Sequence, residues 1–214
     1  LRTPELLGSI SDDDGTISKL SIQLVKDNAA LIDNDENWKE IELTDGNWTY
    51  PIPTEGSYSV YFKVVDAEDS TFVTNDTDSL KKPYVQYQSN TPVETAVKFS
   101  LDTNPPTITN MQVSYDGGTT YEEVNNNAIF GGTKGNLKFK VTASDTISEN
   151  LTVTMNFNGE KNMSASSSVN EYTLNVDATQ ISSNSYTITV TAKDDAGQPG
   201  QYTRLVKVDN SAPV

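Results

Sequence analysis

The chain has 214 residues, length for one large domain or two of ordinary size, each able to bury a core. Its 30 acidic and 15 basic residues leave a net charge of −15 and a pI of about 4.2. Such a surface repels phosphate backbones and anionic lipid, which makes nucleic acid and membrane surfaces poor partners and cations good ones. Because histidine and cysteine are both absent, Ser-His-Asp and Cys-His nucleophiles, disulfides and Cys/His metal sites are excluded.

The opening residues, "LRTPELLGSI", lack the basic-then-apolar layout of a signal peptide, and no apolar run approaches the ~20 residues that cross a bilayer. The expectation is a fragment of something longer, with no membrane insertion of its own. Leu20, Ile22 and Leu24 alternate with polar residues, the period of a strand with one buried face. Further on, Tyr58, Val60, Phe62 and Val64 do the same, then Leu137, Phe139 and Val141, Val153, Met155 and Phe157, Tyr172, Leu174 and Val176. Turn clusters separate them: "DGG" (116–118), "NNN" (125–127), "GGTKGN" (131–136) and "NFNGEKN" (156–162). No stretch has helical spacing.

Two phrases recur. "FSLDTNPPTI" (99–108) returns as "VKVDNSAPV" (206–214), and "SYSVYFKVVDAED" (57–69) returns as "SYTITVTAKDDAG" (185–197), matching Tyr58, Val60, Phe62 and Val64 to Tyr186, Ile188, Val190 and Ala192. The interval between the echoes is close to the roughly 100 residues of an immunoglobulin-type sandwich. Many short strands with regular turns and no crossover helices predict an all-β chain of two tandem immunoglobulin-like antiparallel β-sandwiches, 1–105 and 106–214. Tyr58 and Tyr186 head their strands where such sandwiches place a tyrosine corner. Trp38 and Trp48 are expected in or beside the core.

"SISDDDGTISKLSIQL" followed by "WKEIELTDGNWTYPIPTEGSYSVYFKVVDAED" resembles the bacterial Ig-like repeats strung along large surface proteins, and "TITVTAKDDAGQPGQYTRLVKVDNSAP" is similar to the ending common to that group. The resemblance implies a non-catalytic stalk or spacer and adhesion module, extracellular, on a bacterial surface or secreted. Its partners are then neighbouring Ig-like repeats of the parent chain and a host protein or glycan. The first unit departs from the pattern through a long insertion near 70–95, which carries Phe72, Tyr84 and Tyr87. "YVQYQ" there reads as an extra edge strand, and the three aromatics as a ligand-binding surface. The alternative is a carbohydrate-binding or accessory module of a secreted enzyme.

Calcium is the cofactor to consider, as a structural ion. Asp33, Asp35 and Asn37 imitate an EF-hand loop, but Trp38 takes the position that needs Gly and Thr44 the one that needs Glu. If the first strand leads away from the chain start, the turn "SDDDGT" (11–16) lies at the end of the first unit that faces the second. Asp12, Asp13 and Asp14 then join Asp102 and Asn104 of the linker, Asp145 of "SDTISEN" (144–150), and Asp194 and Asp195 of "KDDAGQPG" (193–200). That convergence resembles the calcium-bridged junctions of cadherins, and predicts a stiffened junction.

Overall fold

The computed structural model describes residues 4–10, 17–27, 29–32, 34–66, 71–73, 85–87, 92–93 and 97–211. They fall into two units that divide between Thr103 and Asn104, against an expected boundary after residue 105. Both are all-β. Among the described residues the one helical element is a 3-10 turn, Ala178–Gln180.

The first unit contains β1 (Glu5–Ile10), β2 (Ile17–Lys26), β3 (Lys39–Ile41), β4 (Asn47–Pro51), β5 (Gly56–Asp66), β6 (Thr71–Val73), β7 (Val85–Tyr87), β8 (Pro92–Val93) and β9 (Val97–Leu101). One sheet runs β4-β1-β7-β8; the other runs β3-β2-β5-β6, with β9 also on β5. The alternation in β2 and β5 buries Leu20 and Ile22 against Val60, Phe62 and Val64. Trp48, from the opposite sheet, meets Phe62 with ring centroids 5.2 Å apart.

The second unit contains β10 (Thr107–Ser114), β11 (Glu122–Glu123), β12 (Ala128–Phe130), β13 (Asn136–Ser144), β14 (Thr152–Asn156), β15 (Glu160–Asn162), β16 (Ser164–Ala165), β17 (Glu171–Asp177), β18 (Asn184–Lys193) and β19 (Pro199–Val208). Its sheets run β11-β10-β13-β17-β16 and β12-β19-β18-β14-β15. β12 pairs with β19 in parallel, so the opening strand region serves both sheets. Phe139 lies edge-on to Phe130 and Phe157, at 5.8 and 6.0 Å.

The two units share one pairing scheme. The echoed strands β5 and β18 hold the same place, each between an antiparallel partner, β2 or β14, and the last strand of its unit. β1 pairs with β4 and β7 as β13 pairs with β17 and β10. The place that β10 fills at the start of the second unit is therefore filled in the first by β7, from the insertion. "YVQYQ" is not an outer edge: β7 lies between β1 and β8. The insertion interrupts the last strand, whose pieces β6 and β9 pair with opposite ends of β5.

Asp12, Asp13 and Asp14 lie outside the described residues, but the strand that follows them starts with Ile17 opposite Asp66, whereas Leu101 lies opposite Gly56. Those are the two ends of the eleven-residue β5, roughly 30 Å apart at the rise of an extended strand. β1, paired with both β4 and β7, is an inner strand of its sheet.

Candidate functional site

Two loops meet at one end of the second sandwich. β13 ends with Ser144 beside Thr107, and β18 ends with Lys193 opposite Thr152 and Pro199. The loop after β13 therefore ends at Thr152, beside the end of β18 from which the loop to β19 starts. Inward parity continues past both strands. Leu137, Phe139, Val141 and Ala143 point inward and are followed, two residues on, by Asp145; Ile188, Val190 and Ala192 are followed by Asp194. A carboxylate stands at each position where the alternation calls for an apolar group.

Each carboxylate shapes its own loop. Asp145 Oδ1 accepts the amide N–H groups of Ile147 at 2.8 Å and Ser148 at 3.0 Å, the Asx pattern that turns a chain sharply. Asp194 Oδ1 accepts the amide of Gln198 at 2.6 Å, while the Gly197 amide donates to the Asp194 carbonyl at 2.9 Å. Asp194 is 6 % exposed, and its Oδ2 is buried with no hydrogen-bond partner. A carboxylate oxygen of Asp145 and one of Asp194 lie within 4.8 Å of each other. None of the lysine or arginine ion pairs among the described residues involves either acid.

Asp195 is exposed, and Asn104 is exposed at the start of the second unit. Asp102 follows β9 in the first unit and is 3 % exposed; beside it, the Thr103 amide donates to Glu55 Oε1 at 2.8 Å. Of the expected ligand-binding aromatics, Tyr84 lies outside the described residues. Phe72 and Tyr87 belong to β6 and β7, opposite Val64 and Gly8, and their side chains lie outside them.

Both tryptophans are buried, Trp38 at 8 % and Trp48 at 2 % exposure, so neither presents a flat face to solvent. Lys63 Nζ stands 5.7 Å from the centroid of the Trp38 ring. A shallow groove of about 480 Å³ lies over Trp48, between Glu40, Ile41 and Tyr50 on edge strands of the two sheets. Burial pushes the Tyr50 hydroxyl above its ordinary pKa. Sequence reasoning did not find this groove, because it arises from the gap between β3 and β4, and those strands share no register.

Two all-β, predominantly antiparallel sandwiches of immunoglobulin type in tandem are the class of protein that this pairing defines. No family model matches the chain, and neither does any curated protein. Among solved structures it is similar to the fibronectin(III)-like modules of Clostridium thermocellum CbhA, at 13 % identity and a TM-score of 0.38 over 97 % of this chain and 85 % of that one. It is also similar to a tetra-tandem repeat in the extending region of a large adhesion protein, at 15 % identity and a TM-score of 0.37. That match covers 99 % of this chain, which spans under half, 46 %, of the adhesion-protein structure. A DUF3823 family protein from Bacteroides ovatus matches at 13 % identity and a TM-score of 0.31, over 98 % of this chain and the whole of that one. At these values the fold assignment rests on the strand pairing.

Proposed function

We propose that the chain is a non-catalytic pair of Ig-like repeats from a bacterial surface or secreted multidomain protein, serving as spacer and adhesion module. The observation that carries the reading is one pairing scheme used twice, each copy closing its own core. A module whose residues go into strand pairing and core suits reiteration along an extended protein. The acidic surface keeps an extracellular protein soluble, and the chain has no histidine to serve as a general base at neutral pH. Calcium enters this reading through the acidic loops, where a bound cation stiffens the backbone that holds it.

The adhesive element is the insertion with Phe72, Tyr84 and Tyr87, because it departs from the repeat scheme and brings aromatic groups to a segment the second unit lacks. The test is retention of the 214-residue chain on immobilised host surface proteins and on a glycan array. Retention that falls at least tenfold when Tyr84 and Tyr87 are both replaced by alanine supports the insertion; unchanged retention removes it.

The groove over Trp48 favours a second reading, an accessory module of a secreted enzyme that holds a sugar against Tyr50 and Glu40. A glycan signal that disappears in Tyr50→Ala and survives the insertion variant would replace the first reading with this one.

A further inference from the structure

We propose that Asp145 and Asp194 hold a hard divalent cation of the calcium class, which ties the β13–β14 loop to the β18–β19 loop of the second unit. Asp194 carries the charge that needs a partner. Its Oδ1 is fixed by the Gln198 amide, which leaves Oδ2 aimed into buried space without a donor. A buried ionised oxygen with no partner is among the costliest groups a fold can carry, and natural structures neutralise it with a counter-charge, a proton or a metal. Asp145 brings a second negative oxygen within 4.8 Å, which makes the cost greater unless a positive charge stands between them.

The spacing selects the cation. Calcium binds oxygens at roughly 2.3–2.6 Å, so two oxygens on one ion stand at most about 5 Å apart. The pair fits that limit. Magnesium demands shorter bonds in a strict octahedron and keeps most of its water, whereas calcium accepts an irregular shell completed by solvent. Two carboxylates make a weak site, in the range of about 10⁻⁴ to 10⁻³ M that serves extracellular modules. Both loops are shaped by the same carboxylates that would hold the ion, because Asp145 accepts from Ile147 and Ser148 and Asp194 from Gln198. Cation binding therefore couples two loops that share no hydrogen bond through these carboxylates.

Both carboxylates belong to the second unit, so failure of the site would leave the spacer reading standing, and the host-protein survey leaves the site standing. Calcium chloride is titrated into the full chain, with calorimetry for affinity, melting temperature for stability and amide NMR for location. In 10 mM calcium the wild-type melting temperature rises by about 5 °C over a chelator control, and the amides of Ile147, Ser148 and Gln198 shift. Asp194→Asn keeps an oxygen for the Gln198 amide and removes the charge. Its order reverses: in chelator it melts at or above wild type, and in calcium it melts below, with affinity reduced at least tenfold. Asp145→Asn provides the second variant and loses the same response. The proposal is overturned if wild type gives no calcium response, if both variants respond as wild type does, or if acidification alone stabilises wild type, which would mean that the two acids share a proton.

Discussion

The hydroxyl of Tyr186 donates to the carbonyl of Ser182, four residues upstream, at 2.9 Å. Tyr58 does the same to Thr54 at 2.7 Å in the first unit. The echoed strands thus repeat a side-chain function as well as an apolar pattern: each ring packs at the core, and each hydroxyl secures the turn that feeds the strand. Tyr186→Phe keeps the ring and removes the bond, at an expected cost of about 1 kcal/mol in urea denaturation. Tyr58→Phe costs more, because its hydroxyl also bonds Thr54 Oγ1 and the residue is more deeply buried.

Gly200 opens onto the carbonyl of Pro106. A Cβ built there would stand 1.8 Å from that oxygen, with backbone on both sides of the contact. Gly200→Ala must therefore push β19 away from the entry to β10. Thermal melting should show a loss of about 1–3 kcal/mol, the range for an overpacked site, with the cores otherwise unchanged.

Phe139 is fully buried and meets two aromatic rings edge-on. Phe139→Ala should lower stability by about 3–5 kcal/mol, the lost transfer energy plus the cavity left behind. Because each unit has its own core, near-UV signals from Trp38 and Trp48, both in the first unit, should persist when the second unit unfolds in this variant.

Those core positions were legible because a pleated strand repeats every two residues, and β5, β13 and β18 keep that period over nine to eleven residues. The tyrosine corners were legible for the same reason, since each Tyr sits in phase at the head of its strand. What the sequence hid was partnership. Leu20, Ile22 and Leu24 mark a strand, but nothing in them says that its neighbours are β3 and β5, or that β1 is an inner strand. Pairing is a long-range choice, and no short segment records it. The carboxylate pair was half visible: Asp145 and Asp194 were among the expected ligands, yet distinguishing Asp194 from the exposed Asp195 required the phase of β18 carried past its end.

Asp116 caps the turn after β10. Its carboxylate accepts the Thr120 amide and hydroxyl, the Ser114 hydroxyl and the Thr119 amide, and these bonds, with the Thr120 amide foremost, hold its pKa well below the usual carboxylate value. Asp177 is lowered likewise by the hydroxyl and amide of Thr179. A carboxylate with a depressed folded pKa stabilises the fold above its unfolded value, about 3.9, and loses that contribution as pH falls toward the folded value. Melting temperature should therefore drop steeply between about pH 4 and pH 2. Asp116→Asn should be less stable at neutral pH and show a shallower acid limb.

The divided last strand of the first unit bears on how the chain would respond to tension. β19 is joined to β18 along ten paired positions, whereas β9 is joined to β5 along five, because the insertion splits that strand and leaves β6 on the other end of β5. A pull on the chain beyond Leu101 loads that short seam directly. Under load the first unit should give way before the second, at the seam left short by the same insertion that supplies β7.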